Sequence, residues 1–261
     1  QIAQSTEKNL RGAWHLWEPY QFYKITSSGS TLTGMDIELV KTLAKKRGIE
    51  VQYEKVAWAQ QQLDLKEGKQ DIASGTTYTK ARAEYAYFSV PYRFEENTLF
   101  VSRNSNKNLK FQSIPKFLEE IKVQNFRLGV SEGFVYADPR INLFINDYKN
   151  KQYITVFPSA LKATQALIKG EIDGFIQDRI VGVAAVFKEG ATKDTKEILL
   201  NIKTPIHLMF SKKTVPIELV EQFNKTIKEF TYSKGYKDIV KTYLYPAMLL
   251  HTIDSRWFSL M

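Results

Sequence analysis

The sequence predicts an α/β fold built on parallel strands, and three observations carry that prediction. First, short apolar runs alternate with amphipathic segments from Leu10 onward, giving strand, helix, strand, helix, strand before Arg82. That alternation is the pattern of βαβ units. Second, the latter half repeats it, with an echo visible in the letters: Leu65-x-x-Gly68-x-x-Asp71 and Leu167-x-x-Gly170-x-x-Asp173. Each is a helix end, a turn and a strand. Third, each of those strands leads to polar groups, Thr77 and Arg82 in one case, Gln177 and Asp178 in the other. In open sheets ligands bind beyond the carboxyl ends of strands. A cation and an anion offered from matching places suggest two lobes facing each other.

Taken in order, Leu10 to Trp17 is apolar and aromatic and reads as a strand, ended by Glu18-Pro19-Tyr20. Thr26 to Thr33 is rich in Ser, Thr and Gly, which marks a hairpin tip or loop. Gly34-Met35-Asp36 opens a helix, with Ile37, Val40, Leu43 and Ala44 at helical spacing and Gly48 as its stop. Val51 to Val56 alternates as a strand, Trp58 to Lys66 is a polar helix ending at Gly68, and Asp71 to Gly75 is the next strand. Trp14–Tyr20, Trp58 and Gly75–Arg82 therefore converge on one rim.

The second half is read in the same way. Ala86 to Val90 and Tyr92 to Arg103 are extended, and the polar stretch Asn104 to Asn108 is a loop or boundary. Ser113 to Ile121 is a helix and Phe126 to Val130 a strand. Tyr136 to Asp147 is a helix interrupted near Pro139. Ile154 to Phe157 is a strand, Ser159 caps a helix through Ile168, and Ile172 to Ile176 is a strand ending in Gln177-Asp178. A helix over Ile180 to Phe187, a polar loop over Thr192 to Thr195 and a strand over Pro205 to Phe210 follow. The chain closes with helices over Ile217 to Phe230 and Tyr236 to Tyr243, the latter ended before Pro246. The aromatic tail His251 to Met261, with Trp257 and Phe258, is expected to pack on the body or lead toward a further segment.

Composition narrows the function classes. The chain has 261 residues, no cysteine and three scattered histidines, so thiolate metal sites and disulfides are ruled out and no metal-ligand spacing appears. Net charge is +9, but the lysines are spread along the whole chain, with no basic run longer than Lys45-Lys46-Arg47. That pattern fits solvated helix faces, not a nucleic-acid stripe. No apolar run approaches the length that spans a bilayer. The first residue is Gln1, which hints at a trimmed leader or an excised segment.

The stretch Asp71 to Arg82 is the richest chemically. Gly75 lets a backbone pass close to a ligand. Thr76, Thr77 and Thr79 supply hydroxyls, and Thr79 is placed to cap a helix through Arg82. Arg82 offers a planar fork of donors that matches a carboxylate. The group reads as a cradle for one small anion; the competing reading is an ordinary turn with a solvated arginine.

These residues resemble the type-3 bacterial extracellular solute-binding proteins, the amino-acid-binding branch of the periplasmic binding proteins. The matching segments are Trp17-Glu18-Pro19-Tyr20, Gly34-x-Asp36-x-x-Leu39, Gly68-x-x-Asp71, Gly75-x-Thr77-x-Thr79-x-x-Arg82, Phe88-Ser89-x-Pro91-Tyr92, Gly129-Val130-x-x-Gly133 and Gly170-x-x-Asp173 through Gln177-Asp178. The resemblance implies a two-lobed type II fold, each lobe a mixed sheet flanked by helices, joined by two hinge crossovers near Arg93–Thr98 and Leu200–Thr204. Lobe one is then 1–94 with 203–261, and lobe two 95–202.

The resemblance also implies roles. Arg82 grips the α-carboxylate of an amino acid and Asp178 holds its α-ammonium. Gly75 offers a backbone carbonyl, and Thr77 a hydroxyl and N–H. Trp17 and Trp58 flank the ligand; core packing is the competing reading for each. Ser131 to Val135 are expected to present backbone N–H groups at a helix start. Phe134 and Val135 stand where the family often has a hydroxyl residue, which removes a side-chain contact. Trp14 stands where relatives binding cationic amino acids often carry an acid, which weakens a basic-ligand reading; Glu18 is the nearby acid that could offset it. The expectation is a monomeric, periplasmic, non-enzymatic protein without a cofactor. It binds a free L-amino acid, leaning basic or polar, and presents its closed form to an ABC permease. The alternatives are an extracytoplasmic sensor domain of a receptor or permease fusion, and a periplasmic dehydratase using Glu18, Glu132 or His15.

Overall fold

The computed structural model describes residues 8–250, with side chains over 9–243. Gln1 and the tail His251 to Met261 lie outside the described residues. The described chain falls into two compact units: residues up to Phe94 together with Pro205–Tyr245, and Glu95–Thr204.

Unit 1 begins with β1 (Lys8–Trp14), the hairpin β2 (Phe22–Thr26) and β3 (Gly29–Thr33), and helix α1 (Met35–Lys45). It continues with β4 (Ile49–Lys55), α2 (Trp58–Glu67), β5 (Ile72–Thr76), the short α3 (Lys80–Ala83) and β6 (Ala86–Phe88). Strand β1 pairs in parallel with β4, from Lys8 opposite Ile49 to Trp14 opposite Lys55, and with β5 at Gly12 opposite Ile72. It ends at Trp14, three residues before the expected Trp17, because Trp17 turns back to bridge Gln21. The turn-rich 26–33 stretch supplies the whole of β3 as well as the hairpin tip.

β7 (Arg93–Ser102) carries the chain into unit 2. There follow α4 (Ile114–Val123), β8 (Leu128–Ser131), α5 (Pro139–Asn146), a 3-10 turn over Tyr148–Tyr153, β9 (Ile154–Phe157), α6 (Ala160–Ile168), β10 (Gly174–Asp178) and α7 (Arg179–Lys188). β10 is antiparallel to β7 and parallel to β8, and β8 is parallel to β9. The helices start where short polar side chains accept backbone N–H bonds: Ser113, Asp138, Ser159 and Asp178 all cap in this way.

β11 (Thr195–Ser211) returns the chain, and α8 (Ile217–Phe230) and α9 (Lys234–Leu250) complete it. Within unit 1, β11 is antiparallel to β5 and β6, so each unit holds a mixed sheet. The polar loop expected at 192–195 is a turn over 192–194 with Thr195 already in the strand, and the separate strand expected from Pro205 is the end of this one 17-residue strand. Its buried positions switch from Thr195 and Glu197 to Leu200, Ile202 and Thr204, and Asn201 has φ 55. An irregularity of this kind re-aims a strand without ending it. Nor does Pro246 end α9; the proline removes one helix donor, and the helix runs on to Leu250.

The cores are apolar faces closing on the sheets. In unit 1, Leu39, Leu43, Phe210, Phe223 and Ile227 are almost fully buried. In unit 2, Leu99, Phe117, Ile121, Phe126 and Leu128 form one cluster, and Phe100, Phe175, Val183 and Val186 another. Each fully buried side chain of this size stabilises by about 1.5–3 kcal/mol.

Candidate functional site

The echoed Leu-x-x-Gly-x-x-Asp segments anchor the strands that lead to the candidate site residues. Gly68 caps α2 at φ 78, and Asp71 takes the Arg11 backbone N–H at 2.7 Å and its guanidinium at 3.2 and 2.9 Å. Gly170 follows α6 at φ 73, and Asp173 takes the Arg127 N–H at 2.7 Å and its guanidinium at 3.1 and 2.9 Å. A left-handed residue closes each helix, and a bidentate pair then fixes the neighbouring strand. Both carboxyls are held below their ordinary range although burial opposes this; Asp173, which also meets Lys107, falls to about 2.

In unit 1, Thr79 accepts the Arg82 backbone N–H at 3.1 Å and so starts α3. The Arg82 side chain folds back onto Thr77, with Nη1 donating to the Thr77 carbonyl and hydroxyl, both at 2.9 Å, while Nε donates to Gln62 Oε1 at 3.1 Å. Its guanidinium lies 5.5 Å from the centre of the Trp58 ring. Burial lowers its pKa, and among the described residues no carboxylate forms an ion pair with it. A half-buried cation braced entirely by neutral partners, with Nη2 making no hydrogen bond among the described residues, is set up to accept an anion.

Gly75 sits beside this fork at φ +67, and a Cβ there would stand 2.7 Å from Trp17 Cζ3 and 3.1 Å from Asp36 Oδ2. Only glycine fits. Beneath it, Arg93 grips Asp36 at 2.7 and 2.9 Å, Tyr92 Oη donates to Asp36 at 2.6 Å, and the Gly75 N–H donates to Tyr92 Oη at 2.9 Å. Arg93 also lies 3.8 Å from the Tyr20 ring centre and 5.6 Å from that of Trp17. This buried network fixes the floor on which Gly75 and Trp17 rest.

His15 stands 5.9 Å, ring centre to ring centre, from both Trp17 and Trp58, and joins them into one aromatic group. Burial lowers its pKa, so it is neutral at pH 7. Gln62 is the unit 1 member that the sequence does not mark, and His15 is marked there only as an acid or base of the dehydratase alternative, not as part of an aromatic wall. Trp14 is apart from this group: it is buried, its ring meeting Tyr23 edge-on at 4.7 Å and Lys55 at 5.3 Å.

In unit 2, Asp178 ends β10 and caps α7, accepting the Val181 N–H at 3.2 Å. Gln177 Oε1 takes the Asp178 N–H at 2.9 Å, and Gln177 Nε2 donates to Ser131 Oγ at 3.0 Å. Next to it, Arg179 is buried between Glu197 at 2.6 Å and Glu96 at 3.6 Å. Burial raises the Glu197 pKa, with Arg179 opposing. The expected helix start at Ser131–Val135 is not present. Glu132 N–H is spent on Phe157 O, and α5 begins at Pro139, where Asp138 caps and proline suits the first turn. Phe134 packs on Tyr136 at 4.9 Å, and Val135 is exposed. A separate cavity of about 510 Å³ in unit 2, lined by Phe111, Pro139, Arg140, Leu200 and Lys203 among others, contains none of the expected site residues.

Residues 12–246 match the model for bacterial extracellular solute-binding proteins, family 3. The chain belongs to that family. It is 25% identical over 249 residues to a probable histidine-binding protein of Campylobacter jejuni, covering 87% of this chain and 81% of the relative. Among solved structures it resembles a histidine kinase sensor domain with similarity to periplasmic binding proteins, at TM-score 0.70 and 17% identity, covering 91% of this chain and 96% of that one. It also resembles the substrate-binding protein of an amino acid ABC transporter, at TM-score 0.67 and 19% identity, with 90% and 98% covered. The fold is that of the periplasmic binding proteins.

Proposed function

We propose that the protein binds a free L-amino acid with a basic or polar side chain, outside the cytoplasm, and presents the bound form to an ABC permease. The observation that carries this reading is Arg82: a cation half removed from water, held rigid by Thr77 and Gln62, and without a carboxylate partner among the described residues. A ligand α-carboxylate supplies the missing charge. Asp178, buried at the end of β10 in unit 2, takes the α-ammonium, a carboxylate being the acceptor that suits it. Gly75 and Thr77 add backbone and hydroxyl contacts, and Trp17, Trp58 and neutral His15 give an aromatic wall suited to an aliphatic or cationic side chain. The names of the relatives support an amino acid as ligand.

Because the two charged groups belong to different units, a ligand held by both favours whichever arrangement lets both engage, and hinge motion follows from that differential affinity. We take lobe one as 1–94 with 203–261 and lobe two as 95–202. No chemical step is assigned. Melting the protein with each common L-amino acid and with polyamines tests the reading, since a ligand that binds the folded state raises the midpoint as its concentration rises. A shift from polyamines alone would refute the role of Arg82. The sensor-domain likeness supports a second reading, in which the same module reports ligand to a membrane receptor. A gene continuing into an apolar span of about 20 residues would favour it.

A further inference from the structure

β7 and β10 pair in antiparallel register, and one face of that pair is apolar where Leu99 stands opposite Ile176. Two residues further on, the same face presents Asn97 opposite Asp178. Directly opposed residues of an antiparallel pair share a face and touch. The apolar face therefore ends in a polar pair, at the carboxyl end of β10 where the ligand group is expected.

Asn97 is fully buried, and both its Oδ1 and its Nδ2 lack a hydrogen-bond partner among the described residues. Leaving such a group unmet in the interior is destabilising. Leucine at this position would continue the face without that cost. The neighbouring polar side chains are engaged with one another: Thr98 Oγ1 donates to Glu197 at 3.4 Å, and Arg179 spans Glu197 and Glu96.

We infer that Asn97 is a ligand-contacting residue. Its Oδ1 accepts an N–H of the α-ammonium that Asp178 holds, and its Nδ2 donates to an oxygen of the same ligand. An ammonium has three donors, and a carboxamide beside a carboxylate supplies a second acceptor for them. The inference rests on the proposed amino-acid site and adds to it a residue that no sequence motif marks.

The test is to titrate wild type, Asn97→Leu and Asn97→Ala with L-arginine, L-histidine, L-lysine and L-glutamine by calorimetry, and to melt each protein without ligand. For an amino acid that wild type binds, Asn97→Leu weakens binding by about ten- to a hundredfold. Its ligand-free midpoint equals or exceeds that of wild type, because the unmet polar group is gone. Asn97→Ala gives the same loss of affinity and decides the matter should leucine overpack. Affinity within about twofold of wild type in both variants overturns the inference and leaves Asn97 a water-satisfied structural residue. If wild type binds neither these four nor any other common L-amino acid, the proposed function itself fails and Asn97 goes with it; the two failures are thus told apart by the wild-type titration alone.

Discussion

In unit 1 the strand β5 is anchored by Arg11 on Asp71; in unit 2 the strand β10 is anchored by Arg127 on Asp173, through the same three atoms and at nearly the same distances. Past the anchors the units diverge. β5 leads through a left-handed glycine to a cation braced by neutral groups, whereas β10 ends directly in a buried carboxylate that caps a helix. The same scaffold device is used twice, and the charge placed beyond it is opposite. The lesson is that the repeated part is structural and the unrepeated part carries the chemistry.

The largest way to break this comparison is at the two buried arginines. Arg93→Met leaves Asp36 and the floor under Gly75 unpaired, and removal of one partner of a buried pair costs about 3–5 kcal/mol. The melting midpoint should fall steeply. Arg179→Met, which leaves Glu197 and the less buried Glu96 unpaired, should cost less, since burial already raises the Glu197 pKa and that group can take a proton. An equal or larger loss for Arg179→Met would contradict the ranking.

The anchors come next. The Asp173 carboxyl has a folded pKa of about 2 against an ordinary 3.8, so its stabilisation is complete above the ordinary value and disappears as pH falls from about 4 to about 2. Asp173→Asn should therefore lower the midpoint at neutral pH and match wild type at the acid end, followed by thermal melts across that range. Asp71→Asn should show the same sign with a smaller loss, because Asp173 is gripped by two cations, Arg127 and Lys107, and Asp71, among the described residues, by Arg11.

The smallest effect separates the two glycines. Gly170→Ala meets open space and loses only the left-handed preference, about 1 kcal/mol. Gly68→Ala carries the same cost and also presses on Lys213 Cβ and Thr214 Cγ2, each 3.2 Å away. Chemical denaturation of both variants should rank Gly68→Ala as the more damaging.

Much of this was legible in the letters. Helix starts and stops at Gly34, Gly68, Ser159 and Gly170, and the Leu-x-x-Gly-x-x-Asp echo, follow from local rules, because caps and left-handed turns depend on a few adjacent residues. Arg82 and Thr77 were legible for the same reason: they lie five residues apart on one turn. The long β11 was not, since a strand that passes from one unit to another takes its pairing from partners remote in sequence. Pro246 was read as a helix end by propensity alone. The helix start expected at Ser131 was displaced to Pro139, because Phe157, 25 residues from Glu132, takes the backbone donor first. The Arg93–Asp36 network and the Asn97–Asp178 pair join residues 57 and 81 positions apart, beyond the reach of any local pattern.

The central claim is that one zwitterion needs both the unit 1 cation and the unit 2 anion. Calorimetric titration of wild type, Arg82→Ala and Asp178→Ala with the amino acid that shifts the wild-type melt tests it most directly. The account predicts that each variant stays folded and loses about a hundredfold or more in affinity, the scale expected when one partner of a desolvated charge pair is removed. Wild-type affinity in either variant would contradict it.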